Sequence, residues 1–134
     1  MLVGVDLRKD PAIIGAAYSD SQGVTREFNL NLVARLNREL GTQIPERAVS
    51  HYTHYDEQAG RNESFVLVRE PLQFDIAGRH FALKVGERIR VERSYKYDLD
   101  QFAELAAGAG LRVANVWTDE RQWFSVQYLT TDGL

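Results

Sequence analysis

Arg88-Ile89-Arg90-Val91-Glu92-Arg93-Ser94-Tyr95-Lys96-Tyr97, past the middle of a 134-residue chain, reads as an extended strand. Period-2 geometry sends Ile89, Val91, Arg93, Tyr95 and Tyr97 to one face and Arg88, Arg90, Glu92, Ser94 and Lys96 to the other. Glu92 and Ser94 then share a face, roughly 7 Å apart along the strand. A carboxylate and a hydroxyl so spaced can grip a small nitrogenous group between them. The plainer reading of the same residues is a solvated face of mixed charge.

Strand patterns continue upstream. Val49 to Tyr55 leads through Asp56-Glu57-Gln58-Ala59-Gly60 into Glu63 to Arg69, a hairpin with a five-residue connection. Leu72, Phe74 and Ile76 alternate up to Ala77-Gly78-Arg79, and Phe81, Leu83 and Val85 return. With Arg88–Tyr97 this predicts an antiparallel sheet of about five strands with one apolar face.

Helices precede and follow the sheet. Leu2 to Leu7 is a short apolar run that reads as a buried strand. Asp10-Pro11 is a strong helix start, with Asp as N-cap and Pro at the first helical position. That helix should run to Tyr18 and stop at the polar break Ser19-Asp20-Ser21-Gln22-Gly23. The longest helix is expected over Thr25 to Leu40, with Phe28, Leu32, Leu36 and Leu40, beside Val33, as its core stripe and Gly41 closing it. Its Asn29, Asn31 and Asn37 are poor helix formers. Either they are exposed or they hydrogen-bond across a packed interface. Asp98 and Gln101 form a capping box for a last helix with Phe102, Leu105, Ala106 and Ala109 inward and Gly110 at its end. Arg112 to Thr118 and Trp123 to Thr130 then form a hairpin.

Composition narrows the class. Apolar residues make up 44% and charged ones 26%, the balance of a soluble globular domain with a modest core. A net charge of −3 supplies no field for nucleic acid or anionic membrane. There is no cysteine, hence no disulfide framework or thiolate metal site. No apolar run reaches membrane-spanning length and Met1-Leu2-Val3-Gly4 lacks signal-peptide anatomy, so a cytoplasmic location is expected.

No metal centre is expected either. His51 and His54, three apart on a strand, point to opposite faces and cannot chelate together. Asp6 and Asp10 are explained more simply as a strand end and an N-cap. The sequence also lacks a G-x-G-x-x-G turn between a strand and a helix, and Gly108-Ala109-Gly110 falls at a helix end.

Glu92-Arg93-Ser94-Tyr95-Lys96-Tyr97 resembles the E-x-S-x-K-[FY] segment of the histidine-specific, S-adenosylmethionine-dependent methyltransferases of ergothioneine biosynthesis. Gly4-Val5-Asp6-Leu7-Arg8-Lys9-Asp10, Ala17-Tyr18, Gly23-Val24-Thr25 and Phe28-Asn29 also agree with that family, as do Val116-Trp117-Thr118-Asp119 and Phe124-Ser125-Val126. The resemblance is collinear over essentially the whole chain, but corresponds to the later part, less than half, of a full-length member.

It implies an α+β fold: an antiparallel-sheet substrate-binding region with helices over residues 9–97. Flanking it would be the terminal elements of a class I, Rossmann-like methyltransferase sheet, a strand in 1–8 and a helix and β-hairpin in 98–134. It implies that Glu92 and Ser94 hydrogen-bond the imidazole of L-histidine, and that Tyr18 helps hold the amino-acid end. An ionised Glu92 would accept an imidazole N–H in a charge-assisted bond, and Ser94 would donate to the other ring nitrogen. The implied cofactor of the full-length family is S-adenosylmethionine, which this chain alone is not expected to bind. Its expected macromolecular partner is the missing N-terminal half or another copy of itself. Two other readings remain: a non-catalytic amino-acid-binding or regulatory module, and a weak nucleic-acid binder using Arg88, Arg90, Arg93 and Lys96 with Tyr95 and Tyr97. Glu87, Glu92 and the acidic net charge argue against the last.

Overall fold

The computed structural model describes residues 1–19 and 22–131. Its α+β architecture runs in the order β1 (Leu2–Asp6), α1 (Pro11–Tyr18), α2 (Val24–Leu40), a short 3-10 turn (Glu46–Ala48), β2 (Val49–Asp56), β3 (Arg61–Val68), β4 (Leu72–Ile76), β5 (Arg79–Leu83), β6 (Arg88–Tyr95), α3 (Leu99–Gly108), β7 (Leu111–Thr118) and β8 (Phe124–Thr131). All strand–strand ladders are antiparallel.

The local signals act as the sequence dictates. Asp10 caps α1, its carboxylate accepting from the Ala12 amide at 2.7 Å, with Pro11 opening the helix. Asp98 and Gln101 form a reciprocal capping box on α3. Gly41 takes a left-handed conformation (φ 69°) to end α2. Of the predicted polar break after α1, Asp20 and Ser21 lie outside the described residues.

The predicted five-stranded sheet is instead divided. β2, β3 and β6 form one sheet with β3 central, while β4 and β5 form a separate two-stranded ribbon. The Ala77-Gly78 turn has positive φ at both residues, which matches the twist of a tight hairpin. Stacked Phe74 and Phe81 rings, 5.6 Å apart, hold the ribbon together. The first hairpin is one residue tighter than expected, with β2 reaching Asp56 and β3 starting at Arg61.

Strict alternation along residues 88–97 also fails. Ser64 pairs with Glu92 but Phe65 pairs with Arg90, leaving Val91 as the extra residue of a β-bulge. The bulge moves Arg88 and Arg90 to the face of Arg93 and leaves Glu92, Ser94 and Lys96 on the inner face. Ile89 pairs with buried Val66, and Val91 packs against the core.

Two apolar clusters organise the molecule. The first joins Val33, Ile44, Ala48, Val49, Val66, Val68 and Leu72, beneath α2 and the β2–β3–β6 sheet. Complete burial of side chains such as Val66 and Val68 stabilises the fold by roughly 1.5–3 kcal/mol each. The second joins Val5, Leu7, Phe102, Ala106 and Leu129, between α3 and the sheet β1–β8–β7. Leu105 stays exposed, so α3 buries a narrower stripe than predicted.

α2 departs further from expectation. Phe28 is 75% exposed, and Leu32 and Leu40 also face outward. The buried positions are Asn29 and Val33, with Leu30 and Leu36 packed beside the core. The buried face is rotated because two of the asparagines have fixed partners. Asn37 donates to the Ile44 carbonyl (2.9 Å) while its own carbonyl accepts from Thr42 and the Ile44 amide. Asn29 reaches Glu92.

β1 is half-buried rather than buried: Val5 and Leu7 face α3, while Leu2 is exposed. One edge pairs with β8; the other edge carries no ladder among the described residues. The end of β1 meets the end of β6 through a parallel bridge between Leu7 and Tyr97. The Arg8 amide donates to the Tyr97 carbonyl (3.1 Å) and the Lys96 amide to the Gly60 carbonyl (2.7 Å). The two sheets are thus joined where the Glu92–Lys96 segment ends.

Candidate substrate-binding site

Tyr18, Glu92 and Ser94, the three residues singled out from sequence, lie on one polar wall. Tyr18 is the last residue of α1, and Glu92 and Ser94 occupy the inner face of β6 just beyond the bulge. All three are partly exposed, as groups that meet a ligand must be.

Lys96 connects two of them. Its side chain is only 1% exposed, yet its ammonium has three partners: the Tyr18 hydroxyl at 2.9 Å, the Ser94 hydroxyl at 2.7 Å and an Asp6 carboxylate oxygen at 2.7 Å. An ammonium has three donors, and here all are used. The Lys96 ammonium also lies 5.0 Å from the centre of the Tyr18 ring. Burial by itself opposes charge on Lys96, but the bonds to Asp6 and Tyr18 outweigh it and raise its pKa. Burial likewise pushes the Asp6 carboxyl up, and bonds from Lys9 and Lys96 reverse that and hold it below its ordinary value.

Glu92 is held separately. Its Oε2 accepts from the Ser64 hydroxyl at 3.0 Å and from the Asn29 amide at 3.4 Å. Ser64 is wholly buried and Asn29 nearly so, which fixes the carboxylate from below. Oε1 has no protein donor among the described residues. Next to Ser64, buried Asn62 is tied to Thr53 across β2–β3. The wall therefore offers one fixed carboxylate oxygen and two hydroxyls whose orientation is set by a buried cation.

Asp6, Asn29, Ser64 and Lys96 complete this wall, and the sequence reading gave none of them a role in the site. Lys96 fell on the correct face by alternation, but a lysine on a polar face reads as solvated. His51 and His54 do sit on β2 facing opposite ways, and no group of three or more potential metal ligands occurs among the described residues. Burial lowers the pKa of His51, which Glu92 opposes and Arg26 reinforces.

The arginines of the strand serve the outer face. Arg61, Arg90 and Arg93 all converge on Glu63, at 3.2, 3.4 and 3.1 Å, and Arg88 lies over the Tyr52 ring at 4.4 Å. Their charge is partly spent within the sheet, which weakens the nucleic-acid reading. No helix among the described residues is long and apolar enough to cross a membrane.

Two concavities border these elements. One is lined by Arg26, Leu30, Val33 and Val49, the other by Arg8, Tyr95, Lys96 and Tyr97. Neither takes in Glu92 or Ser94. The turn between β1 and α1, Leu7-Arg8-Lys9-Asp10, contains no glycine with which to cradle a nucleotide-like cofactor.

Residues 1–131 match the family of histidine-specific, S-adenosylmethionine-dependent methyltransferases, and the chain belongs to that family. It is 34% identical over 122 residues to ergothioneine biosynthesis protein 1 of Neurospora crassa, an alignment covering 88% of this chain and 13% of that protein. It is 32% identical over 121 residues to histidine N-alpha-methyltransferase of Mycolicibacterium smegmatis, covering 89% of this chain and 38% of the relative. N-methyltransferase imqF of Aspergillus flavus is 29% identical over 125 residues, covering 90% and 33%. The chain therefore spans well under half the length of these relatives.

Proposed function

We propose that this chain is the histidine-binding portion of an S-adenosylmethionine-dependent methyltransferase that N-methylates the α-amino group of L-histidine. Residues 9–97 form its substrate-binding region, and residues 1–8 and 98–134 are closing elements of a Rossmann-like methyltransferase core. The separation of the two apolar clusters supports that division. So does the open edge of β1, where a further strand can add.

The observation that carries the reading is the shared wall of Tyr18, Glu92 and Ser94, built over a buried Lys96. Glu92 Oε1 accepts one imidazole N–H, Ser94 donates to the other ring nitrogen, and Tyr18 meets the amino-acid end. S-adenosylmethionine, held by a complementary half, supplies the electrophilic methyl group. What this chain contributes is orientation. By fixing the ring it fixes where the α-amino nitrogen stands, which removes much of the entropic part of the barrier.

The test combines this chain with the complementary remainder of the Mycolicibacterium smegmatis relative, then follows methylation of L-histidine by mass spectrometry. Methylated histidine supports the reading. Histidine binding without methylation identifies a non-catalytic amino-acid-binding or regulatory module instead. Absence of both overturns it.

A further inference from the structure

We infer that Lys96, anchored by Asp6, is a positioning residue that fixes the hydrogen-bond polarity of the site, so that it selects a ring with one N–H and one bare nitrogen. The inference rests on the functional reading above and extends it to two residues outside the ligand contact.

The reasoning begins with donor and acceptor counts. A lysine ammonium only donates, and Lys96 spends its three N–H groups on Asp6, Tyr18 and Ser94. Each hydroxyl therefore accepts from Lys96 and keeps its own proton for another partner. Neither hydroxyl donates to any other group among the described residues. At Ser94 the proton is turned away from the ammonium, because like partial charges repel. With the ammonium behind it disfavouring a second N–H, an acceptor is the favoured ligand atom at Ser94. At Glu92 the reverse holds: Oε2 is saturated by Ser64 and Asn29, and Oε1 can only accept, so the ligand atom there must carry hydrogen. Donor at one end and acceptor at the other is the signature of neutral imidazole in a single tautomer. An imidazolium would bring a second positive N–H toward a hydroxyl already bonded to an ammonium, and a purely hydrocarbon ring would leave both groups unpaired.

Asp6 makes the device durable. Lys96 is buried, and an unpaired ammonium there would be strongly disfavoured. Asp6 stands at the end of β1, in the other sheet, so the polarity of the substrate wall is set from the core side of the seam.

The test compares L-histidine with β-(2-thienyl)-alanine, a five-membered-ring analogue with no ring nitrogen, by calorimetry on the assembled enzyme. The unmutated protein should favour histidine strongly. Lys96→Met frees the Ser94 hydroxyl to rotate, so the histidine-to-thienylalanine affinity ratio should fall at least tenfold. Ser94→Ala on that background should cost little more, since the two act as one unit. A merely structural role would weaken both ligands alike and leave the ratio unchanged, which would overturn the inference while the functional reading stood. Failure of the unmutated assembly to bind histidine would overturn both. Should Lys96→Met not fold, the ammonium resonances of Lys96 in the unmutated 134-residue chain decide. Slow solvent exchange of its N–H protons is expected; exchange as fast as that of a surface lysine refutes the arrangement.

Discussion

The Lys96 ammonium lies 2.7 Å from a carboxylate oxygen of Asp6, ninety residues away in sequence, and this ion pair ties the β1–β8–β7 sheet to the end of the β2–β3–β6 sheet. It stands at the seam where β1 and β6 end side by side, under the hydroxyls of Tyr18 and Ser94. In the function proposed above, stability and substrate recognition depend on the same pair of charges.

Asp6→Asn should destabilise the chain by about 3 kcal/mol, since it leaves a buried ammonium without its counter-ion. The partial exposure of Asp6, 36% for its side chain, places the cost at the low end of that class. The pH dependence has a definite sign. Asp6 titrates below its ordinary 3.8, so its contribution is complete above that value and is lost as pH falls through the lower folded-state pKa. Lys96 titrates above its ordinary 10.5, so its contribution is complete below that value and is lost as pH rises through the higher one. Thermal unfolding of parent and Asp6→Asn should differ most between these limits and converge in acid. Parallel curves down to strong acid would show that the pair contributes nothing.

Much of this arrangement was legible from short-range signals. Asp10-Pro11, Asp98 with Gln101, and the β7–β8 hairpin are determined by residues within a few positions of one another, and they formed as expected. Alternation placed Glu92 and Ser94 on one face, but their histidine-binding role, and that of Tyr18, came from motif resemblance rather than from physics. What stayed hidden depends on long-range pairing. Val91 becomes a bulge only because β3 is its neighbour, and that bulge carries Arg88 and Arg90 to the opposite face. Asn29 is buried in α2 because Glu92 waits across the interface, a contact that no helical periodicity reveals. Lys96 looks solvated until Asp6 is placed beside it.

Removal of Glu92 should damage activity far more than removal of Ser94. Glu92→Ala deletes the charged acceptor and strands an imidazole N–H along with Ser64 and Asn29, a loss of about 1.5–3 kcal/mol or more. That corresponds to roughly ten- to hundredfold in kcat/KM for histidine. Ser94→Ala removes one neutral donor and should cost about 1 kcal/mol. Tyr18→Phe should raise the KM for histidine and leave cofactor affinity unchanged. Histidine methylation by the assembled Glu92→Ala protein at the unmutated rate would refute the site assignment.

By itself, the 134-residue chain should neither bind S-adenosylmethionine nor methylate histidine. Its β1–α1 turn has no glycine, and the wall of Tyr18, Glu92 and Ser94 is proposed to meet only the substrate. Calorimetric titration of the pure chain should be flat; micromolar cofactor affinity would contradict the division of labour proposed for the two halves.

The last prediction concerns the sheet β1–β8–β7, which buries one face against α3 and leaves the other open. Register places Leu2 beside Tyr128, and Gly4, Val126 and Trp117 in a row across the three strands. The ring of Phe124 lies over Gly4, so close that a Cβ there would meet its Cζ at 2.7 Å. Leu2, Trp117, Phe124 and Tyr128 are 65, 52, 47 and 42% exposed, a contiguous apolar surface next to a strand edge that carries no ladder among the described residues. Surfaces of this kind are covered in a stable assembly. The isolated chain should therefore self-associate in sedimentation velocity as its concentration rises. The complementary cofactor-binding half should replace that contact with a one-to-one complex that methylates histidine. Trp117→Glu should weaken both associations at least tenfold, because burial of one large aromatic side chain stabilises by roughly 1.5–3 kcal/mol and an introduced charge removes it. A chain that stays strictly monomeric, and a complex whose assembly ignores Trp117→Glu, would together show that the second half docks elsewhere.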